Sequence, residues 1–429
     1  MDKSLNRKFL HFVLPSMLAM AFSGIYSIID GIFVGNFLGT AGIAAINIAY
    51  PLQALVMSLG TGIGLGGGIM ISIAEGKGDS ETKRRYLGTT LILLFLATML
   101  IDLVLYPLHP FIMKFLAAEE TLYPLSLEYL KPLLLFCFVQ LFGTGLVPII
   151  RNYGGAMYSM VGMITGFVMN IFLDWVLIAK IPMGMTGAAL ATLLGQLSAL
   201  IVNASFFLFH RGIICKAIWK PKKEIYTKIL HTALSPFGET INPNITLLIM
   251  NFFILRAGGI VSSSTYGVVC FVYFVGLLFI QGVGQGAQPL VSMYHGGGEI
   301  EKKKHIERLM YLTSIILFVF IGTGLYFARD FIPFLFGAEP EVALMYRHVI
   351  LYVIVSLGIF SIVQIDIAER YATGKTGSSS LMIYAQNIFT FIYALLFTSL
   401  MGIEGAWLVQ IAALGSVFII QLIYRKLGR

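Results

Sequence analysis

Residues 62–84 read GIGLGGGIMISIAEGKGDSETKR, and residues 282–304 read GVGQGAQPLVSMYHGGGEIEKKK. The second stretch repeats the first at an offset of 220 residues, with the same alternating glycines and the same order of acidic and basic residues after them. Pro15 and Pro236 also lie in matching register to within one residue. Because polar positions match as well as glycines, we interpret the chain as two copies of one unit in the same orientation.

Twelve long apolar stretches fill the 429 residues, and the first two are 9–36 and 44–74. Hydrophobic residues make up 58% of the chain and charged residues only 12%, which excludes a water-soluble fold. About 20 apolar residues form a helix that crosses the ~30 Å hydrocarbon layer, and helices satisfy their own backbone hydrogen bonds there. The sequence therefore predicts an all-α polytopic membrane protein with twelve transmembrane helices in two pseudo-symmetric six-helix lobes, 1–209 and 229–429, joined by a basic linker, 210–228.

The 29 Lys and Arg residues are distributed unevenly between alternate loops. Most of them lie in 76–86, 210–228, 295–308 and the two termini, so the positive-inside rule predicts that these parts are cytoplasmic. The first apolar stretch is too long for a cleaved signal peptide. We therefore expect a multi-pass protein of the inner (plasma) membrane. The net charge of +8 follows from this topology, and nucleic acid is not an expected partner.

Two features that resemble cofactor or metal sites have simpler explanations. Gly62, Gly64 and Gly67 match the spacing of a dinucleotide-binding loop, but they lie inside an apolar span, where small residues allow helices to pack closely. The cysteines have neither metal nor redox spacing: Cys137, Cys215 and Cys270. The seven histidines are scattered along the chain. We therefore expect no catalytic residues and no organic cofactor.

Ionisable residues inside apolar spans are the strongest functional candidates, because a charge in hydrocarbon is costly unless it is paired, solvated or neutralised. At 1.5 Å per residue, Asp30 and Asp174 both fall in the outer half of the membrane, as does Thr192. Asn170 lies four residues before Asp174, on the same helix face. These four residues are predicted to form a site for Na+ or a proton. Alternatively, the acids line a wet vestibule or pair with Lys180.

The eighth span carries a polar stripe, formed by Gln281, Gln285 and Gln288 at spacings of four and three residues. This spacing places them on one helix face, which favours the lining of a substrate cavity over a position facing lipid. Glu239, in the seventh span, either faces the same cavity and attracts cations or has a capping or snorkelling role. The other acids within the spans are interpreted as interfacial or ion-paired: Asp102, Asp366 and Glu369.

Several of these residues carry a family resemblance. The combination of Arg151-Asn152, Asn170-x-x-x-Asp174 and Gly187-Ala-Ala-Leu-Ala-Thr192 is similar to the prokaryotic MATE (multidrug and toxic compound extrusion) family of the MOP flippase superfamily. Asp30-Gly-Ile-Phe-Val-Gly35 and Tyr371-Ala-Thr-Gly-Lys375 match the pattern of the family as well. The resemblance covers essentially the whole chain and is closest to the branch related to DinF proteins.

This resemblance implies an antiporter that exports amphipathic, cationic organic compounds and is driven by Na+ or H+. Asp30, Asn170, Asp174 and Thr192 would carry the coupling ion, and Pro15 would bend the first helix. The expected partners are small organic cations and the lipid bilayer, with the chain acting as a monomer. A flippase for a lipid-linked precursor or polysaccharide is the alternative within the superfamily. An integral-membrane enzyme and a passive channel are alternatives from other classes.

Overall fold

The structure is a computed structural model that describes residues 3–116, 121–210, 212–214, 218–220 and 222–427, apart from the side chains at 27 and 28. Cys215 and several other positions of the predicted linker lie outside the described residues. The described chain is helical with short connecting turns and contains no β-strand. The predicted fold class, an all-α membrane protein, is therefore confirmed, whereas the predicted domain boundaries stay a prediction.

The N-terminal half contains α1 (Lys3–Gly76), α2 (Ser80–Leu100), α3 (Tyr106–Leu116), α4 (Leu122–Leu135), α5 (Cys137–Asn152), α6 (Ala156–Asp174) and α7 (Gly184–Phe209). A π-helical segment, Ile101–Leu105, joins α2 to α3, and a second one, Trp175–Lys180, extends α6. Helices α4 and α5 meet at an angle of 61° and together form one broken span.

The C-terminal half contains α8 (Lys223–Gly296), α9 (Ile300–Phe327), α10 (Ile332–Leu335), α11 (Pro340–Ala372) and α12 (Thr376–Lys426). One of the described helix starts, that of α2, has a side-chain cap. Asp79 precedes α2 and accepts a hydrogen bond from the Thr82 backbone N–H at 3.0 Å. This bond satisfies a free donor of the first turn, and it lowers the pKa of Asp79 below its ordinary value.

Three of these helices, α1, α8 and α12, each contain a break at which the chain reverses direction. The breaks lie at Gly39, Gly259 and Gly402, with φ of 72°, 66° and 61°, a conformation that glycine adopts without a steric penalty. The chain folds back tightly there; a Cβ at Gly405 would lie 2.1 Å from the Phe397 carbonyl oxygen. Each of α1, α8 and α12 therefore has a first and a second arm. With these arms counted separately, the eight long apolar helices and the bent pair give the twelve predicted spans in the described chain.

The two halves pack together near the surface that carries loops 76–80 and 296–300, which we call the basic face. The beginning of α1 belongs to this face, because the Asn6 amide oxygen lies 2.8 Å from His305 Nε2 at the start of α9. Five buried apolar residues of α1 belong to a core that otherwise consists of residues from the C-terminal half: Leu5, Phe9, Val13, Leu65 and Ile69. The two lobes are thus in close contact next to the basic face.

The repeated glycines explain how the helices approach closely in this contact. A Cβ at Gly66 would lie 2.8 Å from the Ala233 backbone nitrogen, so the second arm of α1 crosses the first arm of α8 there. A Cβ at Gly286 would lie 2.8 Å from Val13 Cα, so the second arm of α8 crosses the first arm of α1 in the equivalent way. Small residues allow such backbone contacts in membranes, and the two copies of the repeat make the same contact with each other.

Candidate functional site

The residues predicted to form the ion site come from three helices of the N-terminal half. Asp30 lies on the first arm of α1, Asn170 and Asp174 lie on α6, and Thr192 lies on α7. Asp174 is fully buried and Asn170 and Thr192 are nearly so, while Asp30 is half-buried. The carboxyl groups of Asp30 and Asp174 are close enough to interact electrostatically. Helix packing therefore brings together acids that are far apart in the sequence.

Asn170 reaches this position because α6 and α7 pack without intervening side chains. A Cβ at Gly195 would lie 2.7 Å from Asn170 Cβ and 2.9 Å from the Gly166 carbonyl oxygen. The glycines of the two helices thus allow a close crossing. This crossing places Asn170 beside the helix that carries Thr192, whose hydroxyl donates to the Ala188 carbonyl at 3.1 Å.

Several polar atoms of this cluster are buried without a hydrogen-bond partner. They are both carboxylate oxygens of Asp174 and both amide atoms of Asn170. Buried polar groups are nearly always satisfied, and an isolated carboxylate in an apolar interior is very costly. The alternative partner, Lys180, lies instead over the Trp175 ring, with its ammonium 5.3 Å from the ring centroid. Carboxylate, amide and hydroxyl oxygens are suitable ligands for a hard cation, so the residues present fit Na+ or a shared proton.

Two tyrosines complete the cluster and were missed in the sequence. Tyr26 and Tyr129 each interact electrostatically with Asp30 and Asp174, and both hydroxyls lie beside Thr192. Tyr26 also stacks on Phe167, with ring centroids 5.0 Å apart. A signal was available for one of them: Tyr26 precedes Asp30 by four residues and therefore shares its helix face.

The C-terminal half has its own buried acid, Glu239, on the first arm of α8. Its side chain is only 5% exposed, and its Oε1 accepts a hydrogen bond from Gln364 Nε2 at 2.6 Å. Its other oxygen, Oε2, is buried without a partner. Tyr371 and Gln285 lie next to this carboxyl group. Glu239 is thus in the protein interior, in contact with polar neighbours, and its role stays a prediction.

The predicted glutamine stripe lies largely in the contact between the lobes. Gln285 Oε1 accepts a hydrogen bond from the Arg151 guanidinium at 3.2 Å. Gln288 and Asn152 exchange two hydrogen bonds across the same contact, at 3.0 and 3.1 Å. Gln281 is half-buried. In this conformation the buried glutamines therefore connect the two lobes, and a role in a substrate cavity stays a prediction.

The remaining acids in the spans have partners among the described residues. Asp366 is nearly fully buried and forms ion pairs with Arg370 and Arg425, each at 2.7 Å. Asp366 is thus ion-paired, and its pair with Arg370 is buried. Asp102 accepts a weak hydrogen bond from the Cys137 thiol at 3.2 Å. Pro15 lies within the helical first arm of α1, and its proposed bending stays a prediction.

Comparison with known families agrees with this architecture. The MatE family model matches residues 15–176 and 238–368, one segment in each lobe. The chain belongs to the MatE family. It is also similar to the multidrug export protein MepA of Staphylococcus saprophyticus, with 27% identity over 435 residues that cover 99% of this chain and 95% of the relative. MepA of Staphylococcus aureus is 26% identical over 427 residues, covering 97% and 94%.

Solved structures show the same fold. A multidrug resistance MATE transporter of the MOP superfamily in an outward-facing conformation has a TM-score of 0.89 at 20% identity, covering 99% of this chain and 96% of that chain. A MOP superfamily transporter from Pyrococcus furiosus has a TM-score of 0.91 at 20% identity, with the same coverage. The predicted family and the two-lobed, twelve-helix fold are therefore confirmed. This chain is a multi-pass membrane transporter of the MATE type.

Proposed function

We propose that this MATE protein exports amphipathic, cationic organic compounds in exchange for Na+ or H+. The observation that carries the proposal is the buried cluster around Asp30 and Asp174. It combines two interacting carboxyl groups with polar atoms that have no partner. A cluster with only a structural role would be expected to satisfy its own hydrogen bonds, as the buried pair of Asp366 and Arg370 does. The relatives named as multidrug export proteins support the substrate class.

The cluster can couple ion entry to the shape of the N-terminal lobe. Two carboxylates close together in a poorly solvated site cannot both stay ionised cheaply, and a proton or Na+ between them relieves the repulsion. Because Asp30 is on α1 and Asp174 is on α6, this change draws two helices together. Helix α1 also carries the contacts to the C-terminal lobe. Ion binding therefore biases the packing between the lobes, and Pro15 in the same arm provides a point where the helix can bend.

Alternating access then follows from the contacts at the basic face. In the structure the lobes are joined there, so a substrate in a cavity between them would be released toward the opposite face. With the basic loops in the cytoplasm, as the charge distribution favours, this corresponds to export across the plasma membrane. Each chain contains both lobes, so a monomer is sufficient for the cycle, and no organic cofactor takes part.

The test compares coupling variants at matched membrane levels. Asp30→Asn and Asp174→Asn keep the side-chain shape and should abolish ion-driven uptake of a cationic dye into everted vesicles. Thr192→Ala removes one neutral oxygen and should weaken coupling only partly. Because the two acids act as one unit, the double variant should be no more than slightly worse than either single variant. Separately imposed Na+ and H+ gradients identify the ion.

A matched control is Asp330→Asn, which changes an exposed acid that pairs with Arg347 at 3.5 Å and lies far from the cluster in sequence. It should transport like the wild type. Wild-type transport by Asp30→Asn would contradict the assignment of the ion site. Failure of the intact protein to move any cationic dye, together with accumulation of a lipid-linked sugar in a deletion strain, would favour the flippase.

A further inference from the structure

We propose that Arg151 is an internal counter-cation for Glu239. It supplies positive charge near this carboxylate while the lobes are in contact at the basic face, and it moves away when they part, leaving Glu239 to bind a cationic substrate. This inference rests on the proposed export function and adds a second polar site, in the C-terminal lobe, with a residue that controls its occupancy. The site at Glu239 would select monovalent organic cations over neutral compounds of the same shape.

The first argument is burial of unlike charges across the lobe contact. Arg151, on α5, is 4% exposed, and Glu239, on α8, is 5% exposed. Arg151 Nε and Glu239 Oε2 are both buried without a hydrogen-bond partner. A buried charge without compensation is very costly. The two groups interact electrostatically, and Gln285 lies between them in the network, because it accepts a bond from Arg151 and lies beside Glu239.

The second argument is that the interaction is loose. Among the described residues, Arg151 and Glu239 are not within the 4 Å of a direct ion pair, while tighter buried pairs do occur elsewhere, as between Asp366 and Arg370. Arg151 is instead held by one hydrogen bond at 3.2 Å to a neutral amide. A permanent structural pair would favour bidentate contact. A charge that must be exchanged for another in every cycle benefits from weaker attachment.

The third argument is that the two charges belong to bodies that separate. Arg151 lies next to Asn152, whose two hydrogen bonds to Gln288 also cross the contact, so all of these bonds break together when the lobes part. On its own side Arg151 borders a small cavity of ≈ 10 Å³ that is also lined by Ser16 and Ser159. When the lobes part, Arg151 therefore loses its hydrogen bond to Gln285, and Glu239 keeps an oxygen without a partner.

The functional consequence is substrate release. A cation bound at Glu239 and the guanidinium of Arg151 cannot both occupy the closed contact, because like charges repel strongly in a poorly solvated site. Closing the lobes at the basic face therefore favours dissociation of the cation from Glu239. A neutral compound does not compete with Arg151, so it gains nothing from this exchange.

The first test measures binding of tetraphenylphosphonium and of the neutral triphenylphosphine oxide to the purified full-length protein. Arg151→Gln removes the charge and retains an amide that can bond to Gln285. It should tighten phosphonium binding by about tenfold, the order expected for one partly screened charge at several ångströms, and leave the neutral compound unchanged. Adding Glu239→Gln should remove the gain. Equal effects on both compounds would show that Arg151 has only a structural role.

The second test needs no substrate. A single cysteine at Ile69, which is buried in the lobe contact, reports opening at the basic face through its alkylation rate in a background without other cysteines. Arg151→Gln and Glu239→Gln should each increase the rate, since each leaves one buried charge uncompensated, and the double variant should return toward the parent rate. Additive effects of the two changes would overturn the proposal.

Two further variants separate the possible outcomes. Arg151→Lys keeps the charge and should stay near the parent rate. Gln288→Ala removes the neutral bonds to Asn152 and should increase the rate equally with and without Glu239→Gln. If the parent protein binds neither phosphorus compound, the proposed export of organic cations is contradicted. The alkylation rates of the single and double variants still test the interaction between Arg151 and Glu239. If the parent protein binds tetraphenylphosphonium but the effects of Arg151→Gln and Glu239→Gln on the alkylation rate are additive, the export function is retained and the proposed role of Arg151 is refuted.

Discussion

Alanine at Gly76 or Gly296 should open the contact between the lobes at the basic face. A Cβ at Gly76 would lie 1.9 Å from the Met293 carbonyl oxygen, and one at Gly296 would lie 2.1 Å from the Ile73 carbonyl oxygen. Ordinary contact begins near 3.4 Å, so the second arms of α1 and α8 must separate by about 1.5 Å to accept the methyl group. Neither neighbour can relieve the clash by rotation, because both are backbone atoms.

The size of the shift between closed and open states depends on the state in which the clash occurs. Overpacking of this kind costs about 1–3 kcal/mol, and the cost applies only while the two arms touch. It is removed when the lobes part at the basic face. The equilibrium between closed and open states should therefore shift by about 5- to 150-fold toward the open state. Gly76→Ala and Gly296→Ala should give similar shifts, since the two glycines are equivalent in the repeat.

The assay is the alkylation rate of a single cysteine at Ile69, measured from the basic face in everted vesicles. Gly64→Ala is the matched control, because a Cβ there would lie 2.2 Å from the Gly145 carbonyl oxygen. That clash is equally severe but lies within the N-terminal lobe, so it should lower thermal stability without a selective increase in alkylation. Equal alkylation rates in Gly76→Ala and Gly64→Ala would refute the idea that the glycine crossing controls the opening of the lobes.

Two other predictions concern topology and stability. Single cysteines in 37–43 or 180–184 should react with an impermeant reagent on intact cells, whereas those in 76–86 or 295–308 should react only after the membrane is opened; the reverse pattern would invert the orientation. Asp366→Asn leaves two arginines without their carboxylate and should lower stability by about 3–5 kcal/mol, seen as a lower midpoint of thermal unfolding, while the exposed Asp330→Asn should change it little. Equal midpoints in the two variants would show that the buried pairs add nothing.

The helices could be predicted from the sequence because apolar length alone determines which segments cross a bilayer. The predicted spans 9–36 and 44–74 both lie in α1, on either side of the break at Gly39. The helices extend beyond the apolar stretches, since α1 begins at Lys3 and ends at Gly76. Hydrophobicity shows how far the apolar part of a helix extends, whereas the helix itself continues into the polar residues on either side.

The cluster around Asp30 and Asp174 could be predicted in part for a similar reason. Asp30 and Asp174 stand out because acids are rare in apolar spans, and Asn170 follows from its spacing to Asp174. Tyr26 and Tyr129 did not stand out, because tyrosine is common in membrane helices. Their interaction with the acids depends on how α1, α4 and α6 pack, and hydrophobic patterns carry no information about that packing.

The pairing of Asn152 with Gln288 could not be predicted at all. The two residues are separated by 136 positions, and each is an ordinary polar residue in its own span. Two residues of the polar stripe on the eighth span, Gln285 and Gln288, are buried in the structure. Whether such a face borders a cavity or another helix depends on the state of the lobes. Periodicity describes one helix at a time, whereas this contact belongs to two lobes in one particular arrangement.

The repeat also explains why the two lobes cannot be chemically identical at their contact. Gly154 and Gly374 are separated by the same 220 residues as the other repeated positions, and both have positive φ, 86° and 77°. This register makes Arg151 equivalent to Tyr371. Arg151 and Tyr371 also lie next to each other in the structure. Two arginines at this place would therefore face each other in a buried contact, and like charges there would force the lobes apart.

Tyr371 avoids this repulsion between like charges, because it is neutral and can still take part in a polar network. It is fully buried and lies next to both Arg151 and Glu239. This part of the contact contains one buried arginine from the N-terminal lobe and one buried glutamate from the C-terminal lobe. Duplication provides two lobes that fit each other in shape, and substitution at equivalent positions makes their charges complementary. In the proposed cycle, shape would let the lobes close on each other, and the complementary charges would distinguish a cation from a neutral compound.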